Sequence, residues 1–161
     1  MTTAVDIAKD AMPVKEGEII LILAGKNELE EVVKSLGVGT IEKKESGEPF
    51  LADSPYHISL SHKGDTAIAA ISFGKVGVDM EDVTIPRNVE RLSRLFDPSE
   101  APATLYDFYK VWTAKEALGK MLGSGITTEL LKQRTDGVRH LEYGNYLIAV
   151  AGEGEVTVKS Y

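Results

Sequence analysis

Val76-Gly77-Val78-Asp79-Met80-Glu81 is the stretch on which the reading of this chain turns. Val76 to Asp79 reads as a short apolar strand, and alternate strand residues share a face, so Asp79 and Glu81 converge. Downstream, Thr104 to Leu122 reads as a helix. Trp112, Glu116 and Lys120 fall four residues apart on one stripe of it, with Lys115 one step around. Packed together, strand and helix bring the carboxylates of Asp79, Glu81 and Glu116 beside two lysines. That donor set suits one hard divalent cation with water positions left open, as Mg²⁺ prefers, and so points to chemistry on a phosphate ester. Each piece also has an ordinary reading. Glu116 followed by Lys120 is the favourable pair of a solvated helix, worth roughly 0.2–0.5 kcal/mol. Asp79-Met80-Glu81-Asp82 equally describes the polar end of a strand running into a loop. Their occurrence together with a third element upstream favours the site.

That element is Gly47-Glu48-Pro49-Phe50 followed by Tyr56-His57-Ile58-Ser59-Leu60-Ser61-His62-Lys63-Gly64. The alternating segment ends in hydroxyls, an imidazole and glycine, and such an ending suits anion binding by side-chain donors and turn N–H groups. The competing reading has Ser59 and Ser61 on the polar face of an edge strand, with Lys63-Gly64-Asp65 as a plain hairpin turn before Thr66 to Ser72. We take the turn as plain and His62 as functional.

In this order, Gly-x-Pro, Ser-His-x-Gly, Gly-Val-Asp-x-Glu and Trp-x-x-Lys-Glu-x-x-x-Lys resemble the 4′-phosphopantetheinyl transferase superfamily, above all its surfactin-synthetase-type branch. The resemblance covers Gly47 to Ile126, with Leu122-Gly123-Ser124-Gly125-Ile126 similar to the family's helix exit. Residues 1–46 and the last thirty-five or so carry little such signal. The resemblance implies an enzyme of the holo-acyl-carrier-protein synthase type. It would move phosphopantetheine from coenzyme A to a serine of an acyl or peptidyl carrier protein and release 3′,5′-ADP. It also implies that Asp79, Glu81 and Glu116 hold Mg²⁺, that Lys115 and Lys120 face the phosphates, and that Ser61 and His62 contact the coenzyme A nucleotide. Glu116 would accept the serine proton, and Lys120 would stabilise or protonate the departing ADP.

The chain departs from the family pattern in three places. Glu48 stands where many relatives carry a lysine that contacts phosphate, and a carboxylate there would repel coenzyme A. Ser59 replaces a common asparagine. Relatives have two similar halves, whereas this chain has about seventy-five residues before Gly77 and about eighty-five from it onward. Either it is a compact pseudodimer or an oligomer supplies the missing walls.

At 161 residues and 43% hydrophobic, the chain is long enough for one full core or for two small pseudo-repeats sharing one. It has no cysteine, which removes disulfides and thiolate metal sites and fits a reducing compartment. No apolar run approaches the ~20 residues of a membrane span, and Met1 to Asp10 lacks a signal-peptide layout, so the expected location is the cytoplasm. A net charge of −7 argues against general nucleic-acid binding. Coenzyme A and carrier proteins are anionic too, so positive charge must be concentrated locally. In Ile85 to Phe96, the side chains of Arg87, Arg91 and Arg94 fall on one face of a helix. That stripe reads either as a solvated face partly neutralised by Glu90 or as a docking patch. The resemblance favours docking, because in the family the corresponding helix lies beside the carrier.

Periodicity predicts a strand at Glu18–Ala24, a helix at Glu28–Leu36, and strands at Tyr56–Leu60, Thr66–Ser72 and Val76–Met80. Helices follow near Pro86–Leu95 and Thr104–Leu122, then strands at Val138–Glu142, Asn145–Val150 and Glu155–Lys159. The expected fold is α+β, 4′-phosphopantetheinyl transferase-like, mainly antiparallel with packed helices. Residues 1–161 form a single compact domain with room for a pseudo-twofold repeat, about 1–75 and 76–161. Three function classes stay open: the active transferase, a degenerate relative that binds coenzyme A or a carrier without transfer, and an unrelated Mg²⁺-dependent phosphate enzyme. No Walker-type loop supports the last.

Overall fold

The structure is a computed structural model that describes residues 14–161. The reading of Met1 to Asp10 therefore lies outside the described residues. The central strand is β1 (Glu18–Gly25), whose unbroken Ile-Ile-Leu-Ile-Leu run is buried on both faces, the pattern of a strand covered from both sides. One face carries Ile20, Ile22 and Ala24 to a core beneath α1 (Leu29–Ser35), which contributes Leu29 and Val33. The other carries Ile19, Leu21 and Leu23 to a second core.

Three further pairs of strands follow: β2 (Thr40–Lys43) with β3 (Pro49–Ala52), β4 (His57–Lys63) with β5 (Thr66–Ser72), and, after β6 (Gly77–Asp82) and a helical stretch, β7 (Arg139–Tyr143) with β8 (Tyr146–Ala151). The last strand is β9 (Glu155–Ser160). One sheet has the order β4-β5-β1-β9 and a second β6-β8-β7; β2 and β3 form a separate hairpin. The two larger sheets share the second core, where Val78, Met80, Ile148 and Val150 meet the odd face of β1. Strand β6 follows period 2: Val78 and Met80 face that core, so Gly77, Asp79 and Glu81 face the other way. The orders β4-β5-β1 and β7-β8-β6 are built alike. In each, a leading strand is followed by helix and then by a hairpin whose second strand pairs antiparallel with the leading strand.

Pairing is antiparallel throughout except for β1 with β9. The chain leaves one sheet at Ala151 and joins the other through Gly152-Glu153-Gly154. Gly152 and Gly154 have φ of +135° and +127°, and a Cβ on them would meet Lys75 O at 2.9 Å and Gly17 O at 2.8 Å, so both positions need glycine. Arg139 clamps the crossover by donating to the carbonyls of Gly152, at 2.9 Å, and Gly154.

The helices between β6 and β7 are α2 (Val89–Ser93), α3 (Leu105–Leu122) and α4 (Thr128–Lys132), with a 3₁₀ turn at Pro98–Glu100. Helix α3 starts at Thr104, whose hydroxyl accepts from Asp107 N at 3.1 Å, and stops at Gly123 with φ +77°, a capped start and a left-handed stop. It lies on β6 and β8, with Ala117 against Ala149 and Ala151 and with Phe108 and Tyr109 against Leu147. No helix among the described residues is long and apolar enough to cross a membrane.

Five elements differ from the sequence reading. Helix α2 is shorter than Pro86–Leu95, because Asn88 caps it by accepting from Arg91 N at 3.0 Å and leaves Pro86 and Arg87 outside. Strand β4 runs on to Lys63. The β2–β3 hairpin and α4 were not foreseen, since elements of four or five residues are too short to leave a periodic signal.

Lys115 fixes the outer side of α3. Its side chain is fully buried, and Nζ donates to Glu100 Oε1 at 2.8 Å, Gln133 O at 2.6 Å, Thr135 Oγ1 at 3.1 Å and Leu130 O at 3.3 Å, with the Phe96 ring 5.5 Å away. The ammonium thus ties α3 to the 3₁₀ turn and to the chain after α4. Removing it strands the buried Glu100 carboxylate, so Lys115→Met should cost about 3–5 kcal/mol of stability in urea unfolding. The double change Lys115→Met with Glu100→Gln should recover part of that; a near-neutral single substitution would show that the knot is dispensable.

Candidate active site at the seam between two sheets

Strands β4 and β6 lie side by side at the meeting edges of the two sheets, each hydrogen-bonded as a strand to its own sheet. Side chains join them. Ser59 Oγ accepts from Val78 N at 3.0 Å and Ser61 Oγ accepts from Met80 N at 3.1 Å. Lys120 Nζ, coming from α3, donates to Leu60 O and Val78 O, both at 3.0 Å. Residues 59 and 61 share a face of β4, and the N–H groups of residues 78 and 80 share an edge of β6, so the period of 2 brings each hydroxyl to its donor. The sequence reading treated these serines as a polar edge or as anion contacts. Here they satisfy the backbone of β6, and Ser61 and His62 lie within β4 rather than at a turn after it.

Helix α3 reaches the seam because Gly77 has no side chain. A Cβ there would stand 1.9 Å from Ala117 O and 2.7 Å from Met121 N, contacts that would force strand and helix apart. Asp79 and Glu81 therefore face Glu116 and Lys120 across a short gap. These four, with Ser61 and His62, line one cleft of about 790 Å³. Asp79 is buried. Its Oδ1 accepts from Ser61 Oγ at 3.3 Å and Lys120 Nζ at 3.4 Å, while Oδ2 has no partner among the described residues. Burial raises its carboxyl from 3.8 to about 6, Lys120 opposing and the neighbouring Glu116 and Glu81 carboxylates adding to the rise. Burial also raises the half-buried Glu116 carboxyl. Glu81 pairs with Lys63 at 2.9 Å.

Hard carboxylate oxygens, one of them buried and unpaired, fit a divalent cation such as Mg²⁺. As they stand, no three such groups among the described residues are gathered closely enough to hold an ion; Lys120 engages Asp79 and Lys63 engages Glu81.

Two expectations are corrected. Lys115 does not face the cleft, because its neighbours in the buried knot consume its donors on the far side of α3. Nor do Arg87, Arg91 and Arg94 form a helical stripe. All three are exposed, but Arg87 precedes the Asn88 cap, Arg94 follows the helix, and Arg94 pairs with Glu90 at 3.6 Å. Glu48 turns from the cleft. It accepts from Lys44 at 3.3 Å beside Gly123, while its neighbours Gly47 and Pro49 line the cleft. Lys26 and Lys43 also line it. The sequence reading missed both, and their one local signal is position: Lys26 immediately follows β1, and Lys43 ends β2.

The raised Asp79 carboxyl sets a pH dependence. Between pH about 4 and about 6 the folded chain keeps a proton that the unfolded chain has lost, so this group makes stability fall as pH rises through that window. Asp79→Asn should flatten that part of the stability profile in melts run without divalent ions; an unchanged slope would place the titration elsewhere.

Comparison with known proteins gives the family. Residues 75–154 match the family model of the 4′-phosphopantetheinyl transferase superfamily. A 4′-phosphopantetheinyl transferase of Bacillus pumilus is 32% identical over 95 residues, which is 53% of this chain and 40% of that protein. The 4′-phosphopantetheinyl transferase Sfp of Bacillus subtilis strain 168 is 31% identical over 96 residues, 54% of this chain and 42% of its own. A 4′-phosphopantetheinyl transferase of Aneurinibacillus migulanus is 28% identical over 92 residues, 52% and 38% of the two chains. The chain thus covers about two fifths of the length of these relatives. The matched segment runs from just before β6 to just past β8 and so contains the strand and the helix that form the carboxylate face; the chain belongs to the 4′-phosphopantetheinyl transferase superfamily.

Proposed function

We propose that the protein transfers the 4′-phosphopantetheine group of coenzyme A to a serine of an acyl or peptidyl carrier protein, the holo-acyl-carrier-protein synthase type of reaction. One observation carries the reading: the buried Asp79 carboxylate keeps an unpaired oxygen in the cleft that it shares with Glu81, Glu116 and Lys120. Asp79, Glu81 and Glu116 are the proposed holders of Mg²⁺, which when bound would neutralise charge on the diphosphate oxygens. Lys26 and Lys43 add positive charge along the cleft wall for an anionic nucleotide, and Ser61 and His62 border the same space.

In the proposed reaction the carrier serine Oγ forms a bond to the diphosphate phosphorus that bears pantetheine. The bridging P–O bond breaks, and its electron pair leaves with 3′,5′-ADP. Glu116, made more basic by partial burial, takes the serine proton. Lys120 is fixed by two backbone carbonyls, and its longest contact, to Asp79 at 3.4 Å, is the one it can exchange for the leaving phosphate. The two halves would act as lobes of a pseudo-twofold repeat within one domain, a reading supported by the matching strand orders β4-β5-β1 and β7-β8-β6. A cytoplasmic site of action goes with it, supported by a composition without cysteine. Arg87, Arg91 and Arg94 stay the proposed contact for an acidic carrier, as three exposed charges around a short helix rather than a stripe.

Incubating candidate apo-carriers with the protein, coenzyme A and Mg²⁺ should add the mass of one phosphopantetheine group. Glu116→Gln should slow transfer by about 10²-fold or more while leaving coenzyme A affinity near that of the parent, and Asp79→Ala should abolish transfer in a folded protein. Parent rates in either variant would move the chemistry elsewhere. Calorimetric binding of coenzyme A with no mass gain on any carrier would instead identify a relative that binds without transferring. Arg91→Glu should raise KM for the carrier with kcat little changed, and association of the parent should slow as salt rises. A flat salt response would return these arginines to an ordinary solvated surface.

A further inference from the structure

The two lysines that touch the carboxylate face are held differently. Lys120 comes from the middle of a helix packed on the sheet, and two backbone carbonyls fix its ammonium at 3.0 Å each. Lys63 ends β4, its side chain is 36% exposed, and its ammonium makes one polar contact among the described residues, 2.9 Å to Glu81, whose side chain is 12% exposed. Arg87 lies near enough to oppose the charge on Lys63. Unpaired, Glu81 would stand beside the Asp79 and Glu116 carboxylates in a poorly solvated wall, at a cost that an ammonium offsets. A long, half-exposed lysine stem can swing into water without unpacking anything.

We propose that Lys63 is an exchangeable counter-ion for Glu81, holding that carboxylate in place and yielding it when a divalent cation enters the cleft, while Lys120 stays as a fixed part of the seam. The inference rests on the reading of Asp79, Glu81 and Glu116 as ligands. It also accounts for these carboxylates standing apart as they are. Lys63 competes with the cation for the same oxygens, so it weakens divalent binding in the absence of coenzyme A, and its ammonium is delivered to the mouth of the cleft once the cation takes Glu81. The backbone contact at this residue, Tyr146 Oη donating to Lys63 O at 3.3 Å, does not depend on the side chain; replacing the lysine therefore leaves the turn intact.

Mg²⁺ alone, titrated into the full chain by calorimetry, tests this. Lys63→Gln should bind Mg²⁺ about threefold or more tightly than the parent, the size expected on losing one partly exposed ion-pair competitor. Lys63→Arg should match the parent, and in a Glu81→Gln background the gain from Lys63→Gln should vanish. Equal or weaker binding by Lys63→Gln overturns the inference while leaving the metal reading in place. Failure of Mg²⁺ to bind parent and variants alike, with or without coenzyme A, overturns both. A second readout needs no variant: reductive methylation of Lys63 in the parent, followed by mass spectrometry, should speed up when Mg²⁺ is added, and an unchanged rate counts against the exchange.

Discussion

Everything in this protein converges on a seam between two sheet edges that is closed by side chains instead of a backbone ladder. Two serine hydroxyls from β4 accept the N–H groups of β6, and one lysine ammonium from α3 donates to a carbonyl on each strand. Backbone polar groups in a buried setting must find partners. Satisfying them with Ser59, Ser61 and Lys120 leaves the strands close but unzipped, and the cleft opens beside that join. An ordinary ladder would have merged the sheets, and Ser61 would not reach Asp79.

The seam also explains the charge balance. Asp79 and Glu81 sit on a face that must approach a helix, and three carboxylates in one poorly solvated place repel one another. Two lysines offset that repulsion, Lys120 fixed by two backbone carbonyls and Lys63 reaching Glu81 from a partly exposed position. Gathering these groups is costly in stability, and the buried Asp79 oxygen without a partner among the described residues shows that the offset is incomplete.

Lys115 and Lys120 show how one helix divides its work. Five residues apart, they point to opposite sides of α3. Lys115 is spent on Glu100 and the chain after α4, where it fixes the helix, whereas Lys120 enters the seam. The fixed helix, and the missing side chain at Gly77 that lets it settle on β6, are what put Glu116 opposite Asp79.

Much of this was legible in local pattern. The period of 2 in Val76 to Glu81 put two carboxylates on one face, the spacing of four put Glu116 and Lys120 on one stripe, and the largely apolar run at 18–24 marked a strand, whose cover on both faces only the structure showed. Those are short-range geometric facts, so the sequence by itself determined which residues could share a face. Tertiary structure decided which faces meet. No periodicity shows that Lys115 turns into a buried knot, that an Asn88 cap breaks an arginine stripe, that Lys26 and Lys43 reach the cleft, or that Ser59 binds a strand nineteen residues away. Each depends on long-range packing, where the need to satisfy buried backbone and charge outweighs local preference.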